Sequence, residues 1–240
     1  MIALELRKEK RTGMVAVLLV SGVIGAVYVL LNFAIRGPSL LAMPVPPMDI
    51  LLTQLYGMLM VLNMFSVIVA TSIAYNMEYS GFAIKKMYVL PIPIWKIYVA
   101  KFCIIMSTFL VSILLEYCAL GWIGVTKLGP GVFEGGTFLA FLLYTYVTSL
   151  PVASAMLLVS SLSENIWVTL GIGVGGFLSG MALVNLNTSN LMLLHPFILM
   201  LKPAVAMSAS VNPVVVGIAL AEVVLYFCIG VYASIAKKVE

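Results

Sequence analysis

Two carboxylates, Glu116 and Glu222, stand inside long apolar stretches of the 240-residue chain and are its most chemically conspicuous side chains. A charge at the centre of a bilayer costs roughly 2.5 to 3.5 kcal/mol on insertion scales, so each carboxylate must face protein or water. No Lys or Arg stands close enough along the chain to share their depth. Two roles stay open for them. Either they are protonated or bonded to neighbours such as Asn63, Tyr117 or Tyr226, or they line a substrate path in which Glu222, with Glu116 as a second candidate, meets a cationic ligand.

Other potential sites fail on spacing. Gly171, Gly173 and Gly176 reproduce GxGxxG, but a dinucleotide site needs a preceding strand, a following helix start and an acid about 20 residues on. Here the string lies within an apolar run, and no acid occurs between Glu164 and Glu222. The same region contains two GxxxG pairs, Gly171 with Gly175 and Gly176 with Gly180, which predict close helix packing. His195 is the only histidine and has no nearby acid, so a metal site or catalytic triad is not expected; packing or capping is. No GxxxxGK[ST] phosphate loop occurs. No catalytic residue, no metal site and no bound cofactor are predicted for this chain.

The elements that hold these residues follow from composition. Hydrophobic residues make up 63% of the chain and charged residues 9%, against about a quarter charged in soluble domains. So much apolar surface must face lipid, and the whole chain is predicted to be one transmembrane domain over residues 1–240. A membrane helix needs about 20 apolar residues. Six stretches qualify: 14–34, 50–75, 102–123, 138–160, 166–184 and 213–236. In hydrocarbon each backbone amide must be bonded within its own segment, which leaves helices. The predicted fold is therefore all-α, polytopic, with six transmembrane helices. Lys and Arg in alternate loops divide ten against three, which predicts both termini in the cytoplasm.

The net charge of +4 is spread in short clusters beside apolar segments, without the aromatic-interleaved stripe of a nucleic-acid binder, so no nucleic acid is expected. Cys103, Cys118 and Cys228 lie in apolar segments without metal or CxxC spacing and are expected to be buried thiols. The basic N-terminus is too charged for a cleaved signal, and the first apolar run is long enough to span. The outer piece from Asn185 to Asn212 is too apolar for a solvated loop and is interrupted by Pro196 and Pro203. It predicts short re-entrant or interfacial helices. Its Asn187-Thr188-Ser189 matches a glycosylation sequon, a common chance tripeptide.

The inner segment from Asn76 to Lys101 mixes Glu78 and four lysines with aromatics, and Phe82, Lys85 and Lys86 fall at helical spacing before Pro91 and Pro93. An interfacial helix suited to docking a partner and an ordinary basic loop fit it equally. With the stretch ALELRKEKRTG, six spans and SLSEN-IWVTLGIGVG, this segment resembles the permease subunits of type-2 ABC exporters, and among them the lantibiotic-immunity permeases. The resemblance implies a coupling loop at residues 76–101, with Glu78, Gly81, Lys85, Lys86, Leu90 and Pro91 at the contact with a cytoplasmic ATPase subunit. It further implies that ATP and Mg are used by that partner, that a second, identical or related permease completes the unit, and that the cargo is an antimicrobial peptide. A bacterial cytoplasmic membrane is the implied location. The alternative is a secondary transporter or channel without ATP, against which stands the lack of paired broken helices.

Overall fold

A computed structural model describes residues 2–79, 93–184 and 190–236, with no strand among them. The helices are α1 (Ile2–Thr12), α2 (Met14–Leu41), α3 (Pro47–Asp49), α4 (Tyr56–Tyr79), α5 (Ile94–Lys127), α6 (Gly135–Leu162), α7 (Ile166–Val184), α8 (Pro196–Val205) and α9 (Pro213–Ala236). A π-helical turn at Ile50–Gln54 joins α3 to α4, and a 3-10 turn at Asn190–Leu194 precedes α8. Six segments are long and apolar enough to cross a membrane: α2, Pro47–Tyr79, α5, α6, α7 and α9.

Local chemistry sets the helix ends. Gly13, at φ 85°, takes the left-handed conformation that separates α1 from α2. Asn165 accepts a hydrogen bond from the Trp167 amide at 2.9 Å, and Asn212 accepts one from Val214 at 3.0 Å, so an asparagine caps α7 and another caps α9. Pro93 precedes α5, and Pro196 and Pro213 open α8 and α9, where a missing N–H costs nothing.

Several helices outrun their predicted spans. The first continues through Pro38 to Leu41, the second starts at Pro47 and runs to Tyr79, and the third starts at Ile94 and ends at Lys127. Residues 76–79 and 94–101 of the expected coupling loop are thus helical, and Lys96 and Lys101 belong to α5. Pro38 and Pro151 sit inside α2 and α6 because neighbouring helices can compensate for their missing donors.

The interior is built from α4, α5 and α6, with α2 packed on α4 and α5, and α9 packed on α5 and α6. Gly22 lets α2 approach α5: a Cβ there would stand 2.8 Å from the Ser112 Cα, and Ser112 donates a hydrogen bond to the Leu18 carbonyl at 2.7 Å. Helix α8 is buried all round, from Phe197 to Leu201, among α4, α6 and α7, which fits re-entrant rather than interfacial packing. The cysteines depart from expectation: Cys118 and Cys228 are exposed on the apolar surface and Cys103 is half-buried. A thiol is compatible with lipid, so an apolar helix places no constraint on which face carries it.

Candidate functional site

At the end of the bundle where α1, the close of α4 and the start of α5 meet, five charged side chains converge. Helix α1 places Glu5 and Glu9 one turn apart on one face, while Arg7 and Arg11 project from the other and are exposed. The acidic face lies on Lys101, which is fully buried. The Lys101 ammonium bonds a Glu9 oxygen, sits 3.0 Å from Glu78 Oε1 and 3.5 Å from Glu5 Oε2, and donates to the Ala74 carbonyl at 2.8 Å. Lys8 reaches from α1 to the same Glu78 oxygen. The Tyr75 ring closes the site, its centroid 5.5 Å from the Lys101 nitrogen. Thr12 donates to Glu9 Oε2 at 3.0 Å, fixing that carboxylate.

The three carboxylates lie close enough together to hold a divalent cation, but the Lys101 ammonium stands among them and supplies the compensating charge. Its three hydrogens match Glu9, Glu78 and the Ala74 carbonyl. Glu78 lies in the last turn of α4, where a helix dipole disfavours an anion; Lys8 and Lys101 offset this. Lys101 thereby ties together α1, α4 and α5.

Of the residues assigned by resemblance to an ATPase contact, Glu78 is buried within this charge network. Gly81, Lys85, Lys86, Leu90 and Pro91 lie outside the described residues. Glu5, Glu9 and the burial of Lys101 escaped the sequence reading, which counted Lys101 as a loop charge. The available signals were the i, i+4 spacing of Glu5 and Glu9 and the absence of any Gly or Pro from Ile94 to Leu120, which lets a helix carry Lys101 inward.

A second polar site lies within the spans. Asn63 of α4 donates to Glu116 Oε2 of α5 at 2.7 Å, and both side chains are fully buried. Gly25 of α2 makes room for the carboxylate, since a Cβ there would come within 2.5 Å of Oε1. Beside it, the Tyr117 hydroxyl and Thr145 are 2.9 Å apart, and Tyr56 packs 5.8 Å from the Tyr117 ring. Of the neighbours anticipated for the acids, Asn63 holds Glu116, while Tyr226 lies within electrostatic reach of Glu222. Glu222 is 5% exposed, and its Oε2 has no hydrogen-bond partner among the described residues.

His195 Nε2 lies 3.1 Å from the Ser179 hydroxyl, and its ring packs 5.7 Å from Phe197. Its side chain makes no cap to α8, and burial lowers its pKa from the ordinary imidazole value. It links α7 to the start of α8. The α7 glycines divide by face. A Cβ on Gly176 would meet the Phe197 ring at 2.3 Å, and one on Gly180 would lie 3.0 Å from Phe197 Cβ. Gly171 and Gly175 face open space, while Gly173 sits against Ile68 and Met156. Positions 173, 176 and 180 form the inward stripe, and 171 and 175 point away from it. Gly176→Leu is accordingly expected to lower the thermal unfolding temperature in detergent, by overpacking of about 1 to 3 kcal/mol, whereas Gly175→Leu leaves it unchanged. Equal midpoints for the two variants would contradict this division.

These features define a polytopic helical membrane protein in which α1 and the last turns of α9 lie at the same end of the bundle, where α1 lies on Lys101 and a Cβ on Gly230 of α9 would overlap the Tyr98 ring of α5. The family model for ABC-2 family transporter protein matches residues 1–180 of the 240, and the chain belongs to that family. It is therefore a membrane component of an ABC exporter, and the family implies partnership with a separate ATPase subunit. Comparisons with curated proteins and with solved structures gave no match.

Proposed function

We propose that this chain is a permease of an ATP-driven exporter in a bacterial cytoplasmic membrane, paired with an identical or related permease. Cytoplasmic ATPase subunits dock at the end that carries α1 and the last turns of α9 and use ATP and Mg there. The observation that carries the coupling role is the Lys101 network: it joins the helix before residues 80–92, the helix after them and α1. A displacement imposed by a partner at that segment is delivered to three helices together. The ten-against-three distribution of basic residues supports a cytoplasmic position for this end.

The cargo proposed is an antimicrobial, lantibiotic-like peptide or a related amphiphile, moved out of the membrane or cell to confer immunity or resistance. Support comes from the resemblance of SLSEN-IWVTLGIGVG to the immunity permeases. Glu222 remains the candidate for contact with a cationic cargo, because it is an acid on α9 with an unpartnered oxygen. Glu116 also has an unpartnered oxygen, Oε1, but it is fully buried between Asn63 and Gly25, which favours a structural role for it.

The test is recovery of the ATPase with a tagged permease. Replacing Lys85 and Lys86 together by Glu is expected to reduce co-purified ATPase roughly tenfold, the effect of two reversed rim charges. Full recovery with the double replacement would remove those lysines from the interface. The unpartnered Glu222 oxygen also suits a secondary transporter, which would move cargo in vesicles lacking ATP, where the exporter stays silent.

A further inference from the structure

At the end of the bundle opposite α1, a lateral groove of about 660 Å³ is bordered by α2 and α5. Its walls are apolar, with Leu30, Leu31, Phe33 and Leu41 from α2 facing Trp122 from α5. One charge lies among the lining residues: Lys127, the last residue of α5. The Lys127 nitrogen stands 5.9 Å from the Trp122 ring centroid and makes no ion pair among the described residues. A volume in this range is that of a ligand site rather than a packing defect.

The groove matches the dimensions of one leaflet. Leu30 and Leu41 are eleven residues apart on one helix, a rise of about 16 Å, close to half of a hydrocarbon core of about 30 Å. Its deep end is apolar, and its cationic end coincides with the ends of α2 and α5, the level of lipid headgroups. A Trp and a Lys together at that level make an interfacial anchor with an unpaired positive charge.

We infer that this groove is a binding site for an anionic phospholipid of the leaflet away from α1, one acyl chain lying along α2 and the headgroup phosphate on Lys127. A cationic peptide fits the same site poorly, because Lys127 repels it. The inference is independent of the cargo proposed above and of the ATPase interface.

The experiment uses the full chain carrying Trp95→Phe and Trp167→Phe, so that Trp122 is the sole tryptophan. The protein is placed in phosphatidylcholine nanodiscs with a low fraction of acyl-brominated phosphatidylglycerol or acyl-brominated phosphatidylcholine. The expected result is quenching of Trp122 with about a fivefold apparent preference for the anionic lipid, the factor for one lysine at an anionic headgroup. That preference falls to about one in Lys127→Gln and fades in high salt with the unsubstituted Lys127. Equal quenching by both lipids would reduce the groove to ordinary solvation by surrounding lipid and overturn the inference. Absence of quenching by either would place another chain over the groove and overturn it as well.

Discussion

Lys101→Met is expected to be the most damaging single substitution in this protein, with a loss of about 3 to 5 kcal/mol of stability, the range for removing one partner of a buried ion pair. Three carboxylates, Glu5, Glu9 and Glu78, converge on the ammonium, and Lys8 alone would remain to compensate them. The side-chain volume is nearly retained in Met, so the loss reports charge rather than a cavity. Thermal unfolding in detergent, together with protease access to α1, measures it: the helix should leave the bundle before the spans unfold.

Replacing all four groups in concert by apolar ones (Glu5→Met, Glu9→Met, Glu78→Met, Lys101→Met) should restore most of that stability, since exchanging a buried ionic network for hydrophobic residues of similar volume is often neutral or stabilising. The restored protein is expected to fold yet couple poorly to its ATPase, because neutral contacts tie α1, α4 and α5 together less rigidly. If Lys101→Met by itself unfolds no earlier than the unsubstituted chain, the network has no mechanical importance.

The second large effect is expected at Asn63→Leu. Asn63 is the hydrogen-bond donor recorded for Glu116, and both are sealed from solvent. Removing it leaves a carboxyl group unsatisfied among helices. The expected loss is about 2 to 3 kcal/mol, the desolvation penalty of an orphaned buried polar group. The double variant Asn63→Leu with Glu116→Leu removes both partners, and replacing a hydrogen-bonded pair by apolar groups is close to neutral. The double variant should therefore unfold at a higher temperature than Asn63→Leu. If the two changes simply add, the pair is not coupled, and Glu116 is held by something other than Asn63.

Much of the architecture was legible because the bilayer constrains it. Six runs of about twenty apolar residues admit only helices, since backbone groups in hydrocarbon have no other partner. The span from Ile166 to Val184 and that from Pro213 to Ala236 coincide with their predicted limits, each capped by an asparagine whose amide oxygen satisfies first-turn donors. The remaining limits shifted because apolar content marks the hydrocarbon depth, whereas α2, α4 and α5 continue as helix into the polar zone beyond it.

What sequence alone determined was the class of the molecule: helical, membrane-spanning, with its basic residues segregated and its GxGxxG string inside a span. Tertiary structure alone decided which helices meet. Lys101 has the same local signature as any lysine at a helix start; only the arrival of α1, from more than ninety positions away in the chain, makes it the centre of a buried network. Gly176 and Gly175 are likewise indistinguishable by spacing, and only the placement of Phe197 makes one of them irreplaceable. The physical reason is common to both. Burial of a charge or exclusion of a Cβ depends on atoms contributed by distant segments, and local periodicity carries no information about them.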